Sequence, residues 1–137
     1  MKRAILFFIL MLQAAALVIS CSYKIEDVDF NVFPDPSNVY EAGNSIQFNI
    51  SGNPDYITFY SGEDGCRYDY AGMVDDEGNA NYGISVKSIN SRETKFTYTY
   101  STPGKYEVVF VGKNSSFGEE KSEVITLQIE ITAPQNP

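Results

Sequence analysis

From Val28 onward apolar residues alternate with polar ones at a period of two, in short runs separated by Gly, Pro, Asn and Asp. That period sends successive side chains to opposite faces, as in half-buried β-strands, and no segment carries the 3.6-residue stripe of a helix. Val28, Phe30 and Val32 share one face of a first strand, which Pro34 and Pro36 interrupt because proline lacks the N–H a ladder needs. Val39 and Tyr40 resume it briefly. After a turn at Glu41-Ala42-Gly43-Asn44, Ile46, Phe48 and Ile50 alternate with Gln47, Asn49 and Ser51. Gly52-Asn53-Pro54-Asp55 then turns the chain into Tyr56 to Ser61, with Ile57 and Phe59 on one face and Tyr56, Thr58 and Tyr60 on the other.

Beyond the Gly62-Glu63-Asp64-Gly65 turn the pattern weakens. Cys66 to Tyr70 reads as a weaker strand, Ala71 to Tyr82 as a long loop, and Gly83 to Ile89 as a further strand. Phe96, Tyr98 and Tyr100 align against Lys95, Thr97 and Thr99, and Ser101-Thr102-Pro103-Gly104 makes a tight corner before Tyr106, Val108 and Phe110. Asn114 to Glu120 is a polar loop. Ile125, Leu127, Ile129 and Ile131 close the series as its longest and clearest strand. Seven or eight short strands with turn signals between them predict an all-β, antiparallel sandwich. Phe48, Phe59, Phe96, Tyr98, Tyr106 and Phe110 fall on the inward faces, and Tyr106 is placed to donate a tyrosine-corner hydrogen bond.

The first twenty residues break this pattern. Met1-Lys2-Arg3 is a short basic start, and Ala4 to Ile19 an apolar run broken only by Gln13. The run is short for a membrane span of ~20 residues and reads as a secretory signal. Leu17-Val18-Ile19-Ser20-Cys21 has the form of a bacterial lipobox, in which Cys21 becomes the mature N-terminus and carries diacylglycerol on its thiol, the freed amine being acylated. A simple secretory signal or a single anchoring helix is the plainer alternative. The lipobox reading divides the chain into a signal peptide over 1–20, a tether over 21–27, the sandwich over 28–132 and a Pro-rich tail over 133–137. It places the protein at the outer membrane, held by its lipid anchor, with the cell-surface and periplasmic faces both open.

Composition narrows what the domain does. Lys2 and Arg3 leave with the signal, so eight of the 10 basic residues face all 18 acidic ones. That excess argues against nucleic acid and against an anionic membrane face, both of which select clustered Lys and Arg. With Cys21 acylated, Cys66 has no partner in the chain; cleavage upstream of Cys21 would instead permit a Cys21–Cys66 bridge. Histidine is absent, which removes Ser-His and Cys-His nucleophile pairs and the commonest zinc ligand. We therefore expect neither an enzyme nor a catalytic residue, and no cofactor. Asp75, Asp76 and Glu77 offer hard oxygen ligands for calcium, but they lack the spaced carboxylates of an EF-hand, and a solvated acidic loop is the favoured reading.

The chain holds ten tyrosines and nine phenylalanines but no tryptophan. After the inward positions are assigned, Tyr56, Tyr60, Tyr68, Tyr70 and Tyr82 remain as a candidate ligand surface for a glycan or an envelope protein. Dispersed surface tyrosines are the alternative.

The stretch Tyr98-Thr99-Tyr100-Ser101-Thr102-Pro103-Gly104-Lys105-Tyr106-Glu107-Val108-Val109-Phe110 resembles the signature of PKD domains, small immunoglobulin-like sandwiches of extracellular proteins. Ile57-Thr58-Phe59-Tyr60-Ser61-Gly62-Glu63-Asp64-Gly65 is similar to the PKD strand that ends in Trp-x-Phe-Gly-Asp-Gly, with Phe59 in place of the missing core tryptophan. Ser51 to Glu63 further resembles a stretch in the N-terminal PKD-like domain of Bacteroides-type surface lipoproteins. The resemblance implies a PKD-like sandwich in a cell-surface or periplasmic lipoprotein, of a group associated with glycan uptake, and brings no catalytic residue with it. Longer members of that group continue into a second β-rich domain. Thr132-Ala133-Pro134-Gln135-Asn136-Pro137 reads as an interdomain linker, which leaves a domain that works alone and a shortened two-domain protein as alternatives.

Overall fold

A computed structural model describes residues 24–89 and 91–135. The expected signal peptide and Cys21 lie outside the described residues. Seven strands occur among those described: β1 (Phe30–Pro34), β2 (Ser45–Gly52), β3 (Tyr56–Tyr60), β4 (Ile84–Lys87), β5 (Lys95–Thr99), β6 (Gly104–Ser116) and β7 (Glu119–Ile131). They form two antiparallel sheets, ordered β1-β2-β5 and β4-β3-β6-β7. The chain passes from the first sheet to the second after β2, returns at β5 and crosses again at β6. This is the strand order of an immunoglobulin-like sandwich.

The period of two explains the packing. Ile46, Phe48 and Ile50 of β2 point inward from the first sheet, and Ile57 and Phe59 of β3 with Val108 and Phe110 of β6 meet them from the second. Burying each such side chain contributes about 1.5–3 kcal/mol. Phe59 stands at the centre of the aromatic core, with ring centroids 4.7 Å from Phe96, 5.0 Å from Phe110 and 5.9 Å from Phe48. It occupies the core position expected of it in a chain without tryptophan. At the β5–β6 corner the Tyr106 hydroxyl donates to the Thr102 carbonyl at 2.8 Å, closing the tyrosine corner that its place near the start of β6 predicts.

The chain leaves β1 through a polar knot rather than by resuming the strand. Pro34 is the last residue of β1, and Asp35 then accepts hydrogen bonds from the Ser37 amide and hydroxyl on one oxygen and from Gln47 and Asn49 on the other. The Asn38 side chain bonds both the amide and the carbonyl of Gln47, doing what a strand neighbour would do. Val39 and Tyr40 accordingly form no strand, and only Glu41 makes an isolated bridge, with Thr132.

Two other expectations change. Cys66 to Tyr70 is not a strand: Tyr68–Tyr70 is a short 3-10 turn. Asn114 to Glu120 is not a loop either. The β6–β7 pairing runs without a break from Gly104–Ile131 to Ser116–Glu119, leaving only Phe117 and Gly118 to turn the chain. Both have positive φ, 33° and 90°, the mark of the twisted two-residue turn that suits a hairpin.

The register fixes the two ends of the sandwich. Phe30 at the start of β1 pairs with Gly52, and Tyr56 with Lys113, so the beginning of the described chain lies at the end that carries the Phe117 turn. Gly52, at φ +120°, lets this end close, because a β-carbon there would sit 2.1 Å from the Asp29 carbonyl oxygen. Residues 61–83, connecting β3 to β4, and the last residues of β7 lie at the opposite end.

Candidate binding surface

The connection between β3 and β4 is built from its base outward. Ser61 is fully buried, and its carbonyl accepts a hydrogen bond from the Tyr100 hydroxyl at 2.9 Å. Tyr98 donates to the Glu63 carboxylate, and the Ser61 amide donates to the Cys66 sulfur at 3.4 Å. Backbone bonds from Gly62 to Cys66 and from Cys66 to Glu63 complete a tight turn. The rings of Tyr98, Tyr100 and Tyr106 meet in series, edge-to-face at 4.9 Å and tilted at 4.3 Å, so the base of the connection is joined to the aromatic end of the core. Burial pushes the Tyr98 hydroxyl up to about 12, helped by the Glu63 carboxylate beside it. Cys66 is half-buried and has no disulfide partner among the described residues.

Further out, the segment read as a long loop is a small closed structure. The Gly72 amide donates to the Asn81 carbonyl and the Asn81 amide to the Met73 carbonyl, with a bridge between Val74 and Ala80. Asp75 caps the turn by accepting from the amides of Glu77 and Asn79 and from the Asn79 side chain. These bonds, those from Asn79 foremost, hold the Asp75 carboxyl below the usual carboxylate range. They also occupy both of its oxygens. Among the described residues no group of three or more His, Cys, Asp and Glu side chains is placed to hold a metal ion.

This folded connection encloses a groove of about 320 Å³ lined by Arg67, Tyr70, Met73, Val74, Asn79 and Asn81, among others. Its walls are mainly apolar and aromatic, with amide groups between. The Arg67 guanidinium lies 5.4 Å from the centre of the Tyr70 ring and pairs with Asp69 at 2.9 Å. The Asn81 side chain is buried and donates to the Arg67 carbonyl at 2.6 Å. Its Oδ1 is a buried acceptor with no hydrogen-bond partner among the described residues. Such an atom is unusual in a folded protein.

Residues 20–115 match the family described as a domain of unknown function, DUF5017. The chain belongs to the DUF5017 family. The match takes in β1 to β5, the groove and nearly all of β6, while β7 lies beyond it. No curated protein and no solved structure matches the chain.

The five candidate tyrosines of this DUF5017 chain do not form one platform. Tyr60 is a correction: only 7% of it is exposed, in a second apolar cluster with Val109 and Val111 on the outer face of the four-stranded sheet. Tyr68 packs its edge on Tyr60 at 5.4 Å, so the folded connection covers a side chain that strand alternation points outward. Tyr56 is at the far end of β3. Tyr70 alone lines the groove, half exposed, and Tyr82 stands nearby at 73% exposure. Asp75 belongs to the groove wall as a turn cap, whereas Asp76 and Glu77 are exposed in the turn. Arg67, Met73, Val74 and Asn81 are not among the residues that the sequence pattern singles out; the adjacent apolar pair Met73-Val74, beside an acidic run, is the one signal that could have found them. The lipidation expected at Cys21 lies outside the described residues.

Proposed function

We propose that this chain is a lipid-anchored binding module of the bacterial cell envelope, with the groove between β3 and β4 as its ligand surface. The observation that carries this reading is the polarity of the fold. The start of the described chain, three residues after Cys21, lies at one end of the sandwich, and the groove is built on the connection at the other. An N-terminal anchor on a PKD-like sandwich would thus present the groove away from the membrane.

The chemistry of the groove favours a glycan. Tyr70, Met73 and Val74 offer apolar faces for the C–H side of a sugar ring, and Asn79 and Asn81 offer amides for its hydroxyls. A ligand hydroxyl donating to Asn81 Oδ1 would satisfy the acceptor that the fold leaves alone. Such a module would serve as an accessory to polysaccharide uptake at the outer membrane, without catalysis.

The test is a glycan array probed with the folded protein and with Tyr70→Ala. Binding that Tyr70→Ala weakens at least tenfold supports the reading; absence of any glycan bound above background defeats it. A spacer or protein-interaction domain is the second reading. It is favoured by the ends of the sandwich, since β1 begins at one pole and β7 finishes at the other, as a module in a string would require.

A further inference from the structure

Phe117 is the most anomalous side chain in the described molecule. It is the first residue of the two-residue turn between β6 and β7, at φ +33°, and is the only non-glycine described residue with positive φ. Hairpin turns of this kind favour Asn, Asp or Gly there, because a bulky side chain at positive φ crowds its own backbone. The Phe117 ring is also fully exposed, at 106%. Neither turn geometry nor core packing accounts for it.

Its position does suggest an account. Glu26 and Asp27 run beside the base of the same turn: the Asn114 side chain donates to both their carbonyls, at 3.3 and 3.4 Å, and Lys121 pairs with the Asp27 carboxylate. Buried Ile25, half-exposed Ile89 and Phe117 share one hollow of about 330 Å³ at this pole with polar neighbours, Glu26, Asp55 and Asn114 among them, so that the exposed Phe117 ring is its main outward apolar group. Three chain links separate Lys24 from Cys21, so even at full extension their Cα atoms are within about 11 Å. A lipid on Cys21 therefore holds this pole against the bilayer.

We infer that the Phe117 turn is a membrane-contacting wedge: its ring enters the interfacial layer of the bilayer in which the Cys21 lipid is anchored, fixing the tilt of the sandwich. This deepens the lipid-anchor reading and rests on it. The contact is apolar rather than electrostatic. Lys113 and Lys121, the cations flanking the turn, are already paired with Glu120 and Asp27, and Glu119 and Glu123 stand two residues to either side of Lys121 on the same strand face. The occupant is thus the neutral, apolar edge of the interface rather than a specific anionic headgroup.

The absence of tryptophan makes the test direct, since Phe117→Trp becomes the only tryptophan in the chain. The full-length lipoprotein carrying this substitution is reconstituted into phosphatidylcholine vesicles, with and without brominated acyl chains. Tyr82→Trp, an exposed position at the other end, serves as the reference. The expected result is blue-shifted emission at position 117, quenched severalfold by the brominated lipid, with water-like and unquenched emission at position 82. Unshifted, unquenched emission at 117 in protein that floats with the vesicles overturns the wedge and leaves the anchor standing. Failure of labelled fatty acid to enter the wild-type chain, or its entry unchanged in Cys21→Ala, overturns both.

Discussion

The Tyr100 hydroxyl donates to the Ser61 carbonyl at 2.9 Å across 39 positions of sequence, joining the end of β5 to the root of the groove. Both residues are fully buried. Tyr100→Phe keeps the ring contacts with Tyr98 and Tyr106 but removes the donor from a carbonyl that water cannot reach. We expect a loss of about 1–3 kcal/mol, measured by urea denaturation. The amides of Gly62 and Cys66, whose bonds close the turn above Ser61, should also exchange with deuterium faster than in the parent. Unchanged exchange there would mean that the groove does not depend on this bond.

Acid will loosen the polar knot after β1, in the three-stranded sheet. The Ser37 hydroxyl and amide, then Asn49, hold the Asp35 carboxyl at about 2, below its ordinary 3.8. A carboxyl lowered by folding stabilises the native state fully above its unfolded value and ceases to do so as pH falls through the folded one. Thermal midpoints should therefore fall between pH 3.8 and about 2, and Asp35→Asn should flatten that part of the profile. An identical slope in the variant would assign the acid sensitivity to other carboxylates.

Alkali acts on the tyrosine stack by the reverse sign. Burial, with the Glu63 carboxylate adding to it, raises the Tyr98 hydroxyl from 10.0 to about 12, and burial also raises Tyr100 and Tyr106. A group whose folded value is raised contributes its stability below the unfolded value and loses it as pH climbs through the folded one. Stability should decline from pH 10.0 toward about 12, and Tyr98→Phe should decline less steeply, as followed by tyrosinate absorbance and circular dichroism together. Parallel declines would place the effect in the rest of the stack.

The sandwich was legible wherever one face of a strand is buried and the other wet. Ile46, Phe48 and Ile50, or Ile57 and Phe59, announce their strands because the pleat converts burial into alternation. The Pro103-Gly104 corner placed Tyr106 correctly for the same local reason. Tyr60 escaped because its burial comes from Tyr68, which folds back over the sheet, and alternation carries no information about what a distant segment covers. The groove escaped likewise: Met73, Val74 and Asn81 meet only when Asp75 closes the turn between them. Ser115, Ser116, Glu119 and Glu120 read as a loop because the outer end of the β6–β7 hairpin is polar or solvent-exposed over most of its length, so its pairing leaves little hydrophobic trace.

Phe117 offers the sharpest separation of folding from function. Asparagine at the first turn position, before Gly118, tolerates positive φ far better than phenylalanine, and a non-glycine residue held there against its preference costs on the order of 1 kcal/mol or more. Phe117 has no buried surface with which to offset that cost. Phe117→Asn should therefore stabilise the domain by ~1 kcal/mol, seen as a higher urea midpoint at unchanged slope. A loss of stability would show that the ring packs in solution and would remove the argument that the turn is shaped for an external contact. A gain in stability together with membrane contact at position 117 would identify a residue that breaks a local rule for the sake of a surface it meets outside the fold.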